Sequence, residues 1–136
     1  MSFSKEEYPD KFKIRYSCFT LTLFNSVTFE EDKILFNSFY SKNESFPDNN
    51  SWKKFWEEIE KIDIWNWEKS YVNYNVLDGC DWSIEIKYNN KKIKSSGSNA
   101  WPENFKGFTQ ALEDLTGFDI TEKVEESPLE WSEYIV

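Results

Sequence analysis

Acid-base or nucleophilic catalysis needs a proton carrier or a nucleophile poised by its neighbours. This 136-residue chain has no histidine, and its two cysteines, Cys18 and Cys80, lie outside any CxxC spacing. With no imidazole to activate a thiolate or complete a metal site, both cysteines are expected to be buried and reduced. Proton transfer would then fall to carboxylates such as Asp78, Asp81 and Glu85, and no base, orienting partner or metal cluster is evident around them. A two-carboxylate glycosidase pair cannot be singled out among 25 acidic residues, most of which a chain of this charge spends on solvation. Phosphate-binding loop, dinucleotide, zinc and serine-hydrolase patterns are absent. The expectation is a protein with no catalytic residues, no metal and no cofactor.

Binding chemistry is better represented. Aromatic residues make up 19% of the chain, more than a core of this size needs, so some should lie on the surface, where Trp and Tyr anchor partners. Trp65, Trp67, Tyr71, Tyr74, Asp78, Asn99 and Trp101 could converge on a groove that holds a sugar or nucleoside by ring stacking beside Asn and Asp. The competing reading makes the same rings core.

The net charge of -9 and pI near 4.6 oppose direct binding to a phosphate backbone, and Arg15 is the single arginine. Such a charge suits a basic protein partner, because complementary fields speed encounter. The candidate surface is the C-terminal run Glu122, Glu125, Glu126, Glu130 and Glu133 with Trp131 and Tyr134, joined by Glu30, Glu31 and Asp32. A solvated tail packing its aromatics on the domain is the alternative. The functional expectation is a small acidic domain acting by occlusion, an immunity-type or phage-type inhibitor of a nuclease toxin or CRISPR-type effector. A small-ligand domain and an interaction protein of unspecified role are the other readings. The chain has no run long and apolar enough to span a membrane and opens without a signal-peptide pattern, so a cytosolic location is expected. Monomer and homodimer stay open. Abundant Asn, Lys, Phe, Tyr and Ile match the usage of AT-rich bacterial genomes or their phages.

The elements that must position these residues form one α+β domain over residues 1–136, with two hairpin-helix units at about 12–62 and 78–117 and an acidic segment at 119–136. Apolar residues alternate from Phe12 to Cys18, then change phase at Phe19, Leu21 and Leu23, which predicts a strand with a bulge or a swap of faces. Asn25-Ser26 and Glu31-Asp32 read as turns around a short strand at Val27–Phe29, followed by a strand from Ile34 to Tyr40. Ser41 to Asn50 reads as a loop, and Asn50 or Ser51 caps a helix over Trp52–Ile62 that buries Trp52, Phe55, Trp56, Ile59 and Ile62.

In the second unit Trp82, Ile84, Ile86 and Tyr88 alternate up to an Asn89-Asn90 hairpin turn, with Ile93 on the return strand. Pro102 begins a second helix that Gly117 ends. A shift of 53 residues lays Trp52, Phe55, Ile59 and Ile62 on Phe105, Phe108, Leu112 and Leu115, so both helices should pack on one face of an antiparallel sheet. Ser127-Pro128-Leu129-Glu130 predicts a short third helix through about Tyr134.

The stretch Trp65-x-Trp67, Asp78-Gly79-x-x-Trp82, Gly97-x-Asn99-x-x-Pro102 resembles a group of uncharacterised bacterial and phage proteins with a W-x-W, D-G-x-x-W, G-x-N-x-x-P pattern. The resemblance covers a little over a third of the chain. It implies the hairpin-helix arrangement and carries no activity.

Overall fold

The structure is a computed structural model that describes residues 7–39, 41–75 and 79–122. Seven strands form one sheet: β1 Lys11–Cys18, β2 Leu23–Glu30, β3 Lys33–Asn37, β4 Lys42–Ser45, β5 Ser70–Val72, β6 Cys80–Tyr88 and β7 Lys91–Ser98. Their order is β4-β3-β2-β1-β6-β7-β5. The first unit thus supplies one half of the sheet, and the second unit supplies β6 and β7 of the other, with β5 added at its edge from the segment between the units. The two halves meet along an eight-residue antiparallel ladder from Lys11↔Lys87 to Cys18↔Cys80.

Helices α1 (Asn49–Lys61) and α2 (Phe105–Thr116) lie side by side on one face, as the matched spacings predict. On α1, Trp52 meets Phe12 edge-on at 5.6 Å between ring centroids, and on α2, Phe105 lies 4.9 Å from Trp82. Phe12, Ile14, Val27, Ile34, Phe36, Trp82, Ile84 and Ile86 are the sheet's share of this core. Each apolar side chain buried this way contributes roughly 1.5–3 kcal/mol. The opposite face of the sheet carries no helix among the described residues.

Several local expectations are corrected. Phe19–Leu21 is a short 3-10 turn closed by Thr22 in the left-handed region (φ 53°), so β1 and β2 form a hairpin and not one bulged strand. Asn25-Ser26 therefore lies inside β2, while Glu31-Asp32 is the expected turn, with φ of 54° and 65°. The supposed loop contains β4, whose polar residues pair with β3 through backbone bonds that no hydrophobic pattern announces. Asp48, and not Asn50 or Ser51, caps α1 by accepting from the Ser51 amide at 2.8 Å. β5 runs parallel to β7, so the sheet is mixed and not wholly antiparallel.

The Asn89-Asn90 turn holds, with both residues at positive φ, and Gly117 (φ 85°) ends α2 by donating its amide to the Glu113 carbonyl. Pro102 stands just before α2, which starts at Phe105. The expected third helix lies outside the described residues.

Candidate protein-binding surface

One end of the sheet gathers apolar residues on the surface. Where β1 stops, Cys18 stands opposite Cys80 at the last rung of the central ladder, and the two form a disulfide with their Cα atoms 4.1 Å apart. The expectation of two reduced thiols is overturned by register: residues far apart in sequence face each other at a closely spaced antiparallel pair. This bond fastens the root of the 3-10 turn. The turn in turn displays Phe19, 77% exposed, and Leu21, 57% exposed.

Phe24 follows on β2, on the face away from the helices, with its ring 6.5 Å from Phe19 and 6.0 Å from Phe39. The three rings are exposed and contiguous, with exposed Leu21 on the same turn as Phe19, and they form an apolar patch of the kind that marks a protein-protein contact. Sequence reading gave these residues no role in a site. The signal was present in Phe19-Thr20-Leu21-Thr22-Leu23-Phe24, where apolar residues of both parities cannot all face one core.

The patch has polar neighbours and charges of both signs, with Arg15 one row away from Phe24 on the same face. In the row Phe24–Ser17–Asp81 across β2, β1 and β6, Asp81 is exposed beside the disulfide. One residue on from Phe24, the buried Asn25 donates its amide to the Ile120 carbonyl at 2.8 Å and the Glu122 carbonyl at 2.7 Å. Phe118 stacks on Phe36 at 4.6 Å, and Ile120 is fully buried. These contacts bring Glu122, the last described residue, to the patch end of β2. Glu125, Glu126, Glu130, Trp131, Glu133 and Tyr134 lie outside the described residues.

The proposed groove residues separate. Trp67, Tyr71 and Trp101 line a shallow depression of about 440 Å³ with Asn66, Pro102, Glu103 and Asn104. Trp67 is nonetheless a core residue whose indole donates to Asn104 Oδ1 at 2.9 Å, and Asn104 donates to the Ile62 carbonyl. Tyr71 accepts from the Glu68 amide, and Asn66 donates to Asp63. Trp65 belongs elsewhere, stacked at 6.5 Å on Trp56, which itself stacks on Tyr88 at 3.9 Å. Tyr74 is 88% exposed, and Asp78 lies outside the described residues.

Asn99 is structural. At φ 57° its side-chain oxygen accepts from the Cys80 amide at 2.9 Å, and a Cβ on Gly79 would fall 1.5 Å from that oxygen. Likewise a Cβ on Gly97 would fall 2.2 Å from the Trp82 indole nitrogen, which donates to the Ala100 carbonyl. The spaced Trp, Gly and Asn pattern therefore holds the β6-β7 end together, and among the groove candidates Trp101 alone offers a substantially exposed indole.

Burial, and then the Asp119 carboxylate, push the Tyr16 phenol above its ordinary range against a hydrogen bond from Trp101. No group of His, Cys, Asp and Glu among the described residues could hold a metal ion. No described helix is long and apolar enough to cross a membrane. No family model and no curated protein matches this chain.

Proposed function

We propose that this chain is a non-catalytic protein-binding domain that acts by occlusion, covering a basic nucleic-acid-processing surface of its partner as an immunity protein or phage-type inhibitor does. The observation that carries this reading is the exposed ring cluster of Phe19, Phe24 and Phe39, with Leu21 exposed beside Phe19 on the disulfide-fastened turn. Burying such a cluster offers roughly 1.5–3 kcal/mol per side chain, and aromatic anchors dominate interface energetics. The net charge of -9 supports a basic partner, with Asp81 in the cluster's own row and further carboxylates in the C-terminal run, while Arg15 in the adjacent row lies at the edge of the contact. A cytoplasmic location belongs to this reading, since nuclease toxins and CRISPR-type effectors act inside the cell; in that reducing compartment the turn is held by the other seven rungs of the β1-β6 ladder and not by the disulfide.

Affinity capture of the tagged chain from a lysate of the encoding cell should give one stoichiometric partner, released by raised salt, whose nuclease activity the domain suppresses. Phe24→Ser with Phe39→Ser should abolish capture while leaving the fold intact. Replacing Glu122, Glu125, Glu126, Glu130 and Glu133 by Gln should flatten the salt dependence. Capture that survives the double Phe replacement would remove the cluster from the interface, and a captured partner with no basic nucleic-acid site would refute the occlusion reading.

The sugar or nucleoside alternative has one observation in its favour, the depression beside Trp101. Trp101→Ala should abolish any ligand-induced thermal shift if that depression is used.

A further inference from the structure

The helix-free face of the sheet carries a charge opposite to that of the chain. Phe12, Ile14 and Tyr16 of β1 turn toward the helices, so Lys11, Lys13 and Arg15 turn away from them. The registers Arg15↔Ser83 and Ser83↔Ser96 set two hydroxyls in one row with the guanidinium. In the next row Lys13 faces Glu85, and Glu85 faces Lys94.

Rows of this kind stand about 6.6–6.8 Å apart along a strand, and neighbouring strands lie about 4.7–4.9 Å apart. Side chains from three strands thus converge. They line a shallow cavity of about 240 Å³, to which Lys69 adds a fourth cation beside Lys13, Arg15 and Lys94.

Among the described residues none of these four cations is in an ion pair. The carboxylate present, Glu85, is bonded to Lys11 at 3.0 Å and is held below its ordinary range first by that hydrogen bond and then by the Lys11, Lys94 and Lys13 charges. One bound carboxylate therefore leaves a surplus of positive charge around the cavity.

We infer that this cavity binds a phosphate group, with Arg15, Lys13, Lys69 and Lys94 neutralising its charge and the Ser83 and Ser96 hydroxyls donating to its oxygens. A phosphomonoester carries close to two negative charges and three acceptor oxygens, which can be shared among a guanidinium fork, several ammonium groups and hydroxyls. A planar carboxylate occupies only the fork. The phosphate can be that of a free phosphorylated small molecule or of a single-stranded nucleic acid backbone; among the described residues that line the cavity there is no ring with which to read a base.

The test is titration of inorganic phosphate and pyrophosphate into the full oxidised chain at low ionic strength, followed by amide chemical shifts and calorimetry. Shifts should concentrate on β1, β6, β7 and Lys69. Arg15→Gln with Lys94→Gln should weaken binding by about tenfold or more, since each replacement removes a cation that bonds a phosphate oxygen. Arg15→Lys, which keeps the charge and removes the fork, should weaken it less. Lys53→Gln with Lys54→Gln on the exposed side of α1 should change nothing. These are exposed positions, and an unchanged amide spectrum elsewhere verifies the fold.

Displacement of phosphate by oligothymidylate, lost in the same variants, assigns the source to a nucleic acid backbone. Displacement by a nucleoside monophosphate without oligothymidylate binding assigns it to a free ligand. Absence of phosphate binding, equal binding of acetate, or equal loss in the α1 variant would each overturn the site.

Discussion

Reduction of Cys18–Cys80 should cost this domain stability without unfolding it. The bond joins residues 62 apart in sequence, and the entropy of closing a loop of that length in the unfolded chain corresponds to about 4 kcal/mol at 25 °C. A 136-residue domain typically has about 7–20 kcal/mol of total stability, so the reduced form stays folded. With an unfolding entropy of about 2.1 cal/mol/K per residue, the loss lowers Tm by roughly 15 °C.

The sheet itself does not depend on the bond, because the β1-β6 ladder has seven further rungs held by backbone hydrogen bonds and by Phe12, Ile14, Trp82, Ile84 and Ile86 beneath them. Guanidinium unfolding of the oxidised chain and of the same chain in a phosphine reductant, read by tryptophan fluorescence, measures the difference. Thiol titration of the unfolded protein verifies each redox state. Equal stability of the two forms, or two titratable thiols in the aerobically purified protein, would refute the pairing read from the register. Loss of all strand signal on reduction would refute the claim that the ladder stands without it.

Three other outcomes follow from particular contacts. Gly97→Ala forces a methyl group against the Trp82 indole and the Ala100 carbonyl, at 2.2 and 2.5 Å before relaxation, and should cost about 1–3 kcal/mol in a denaturation midpoint. Asn25→Ala strips the donors from the Ile120 and Glu122 carbonyls and should cost about 1–3 kcal/mol; faster hydrogen exchange at Ile120 and Thr121 would show that the segment after α2 has come loose. Because the Tyr16 phenol is raised by burial and then by Asp119, the folded state keeps its proton longer than the unfolded state does. Stability should be flat with respect to this group below about pH 10 and fall as pH rises above it, and Tyr16→Phe should remove that part of the fall.

What the chain determined by itself is local. The α1 stripe Trp52-Phe55-Trp56-Ile59 follows from helical period, the β6-β7 hairpin from alternation around Asn89-Asn90, and the end of α2 from Gly117, each decided by residues within one element. The repeat of spacings also told that both helices share a face, because equal stripes need equal beds. Of the candidate binding surface, the excess of aromatics and the net charge were legible, and their location was not.

The tertiary structure decided what depends on which strands become neighbours. Pairing β1 with β6 sets Cys18 against Cys80, fastens the turn bearing Phe19 and Leu21, and lays Lys13 and Arg15 beside Ser83 and Glu85. A strand's own alternation assigns side chains to two faces, but only register across strands adds those faces into a surface, so an acidic chain can carry a cationic face that composition averages away.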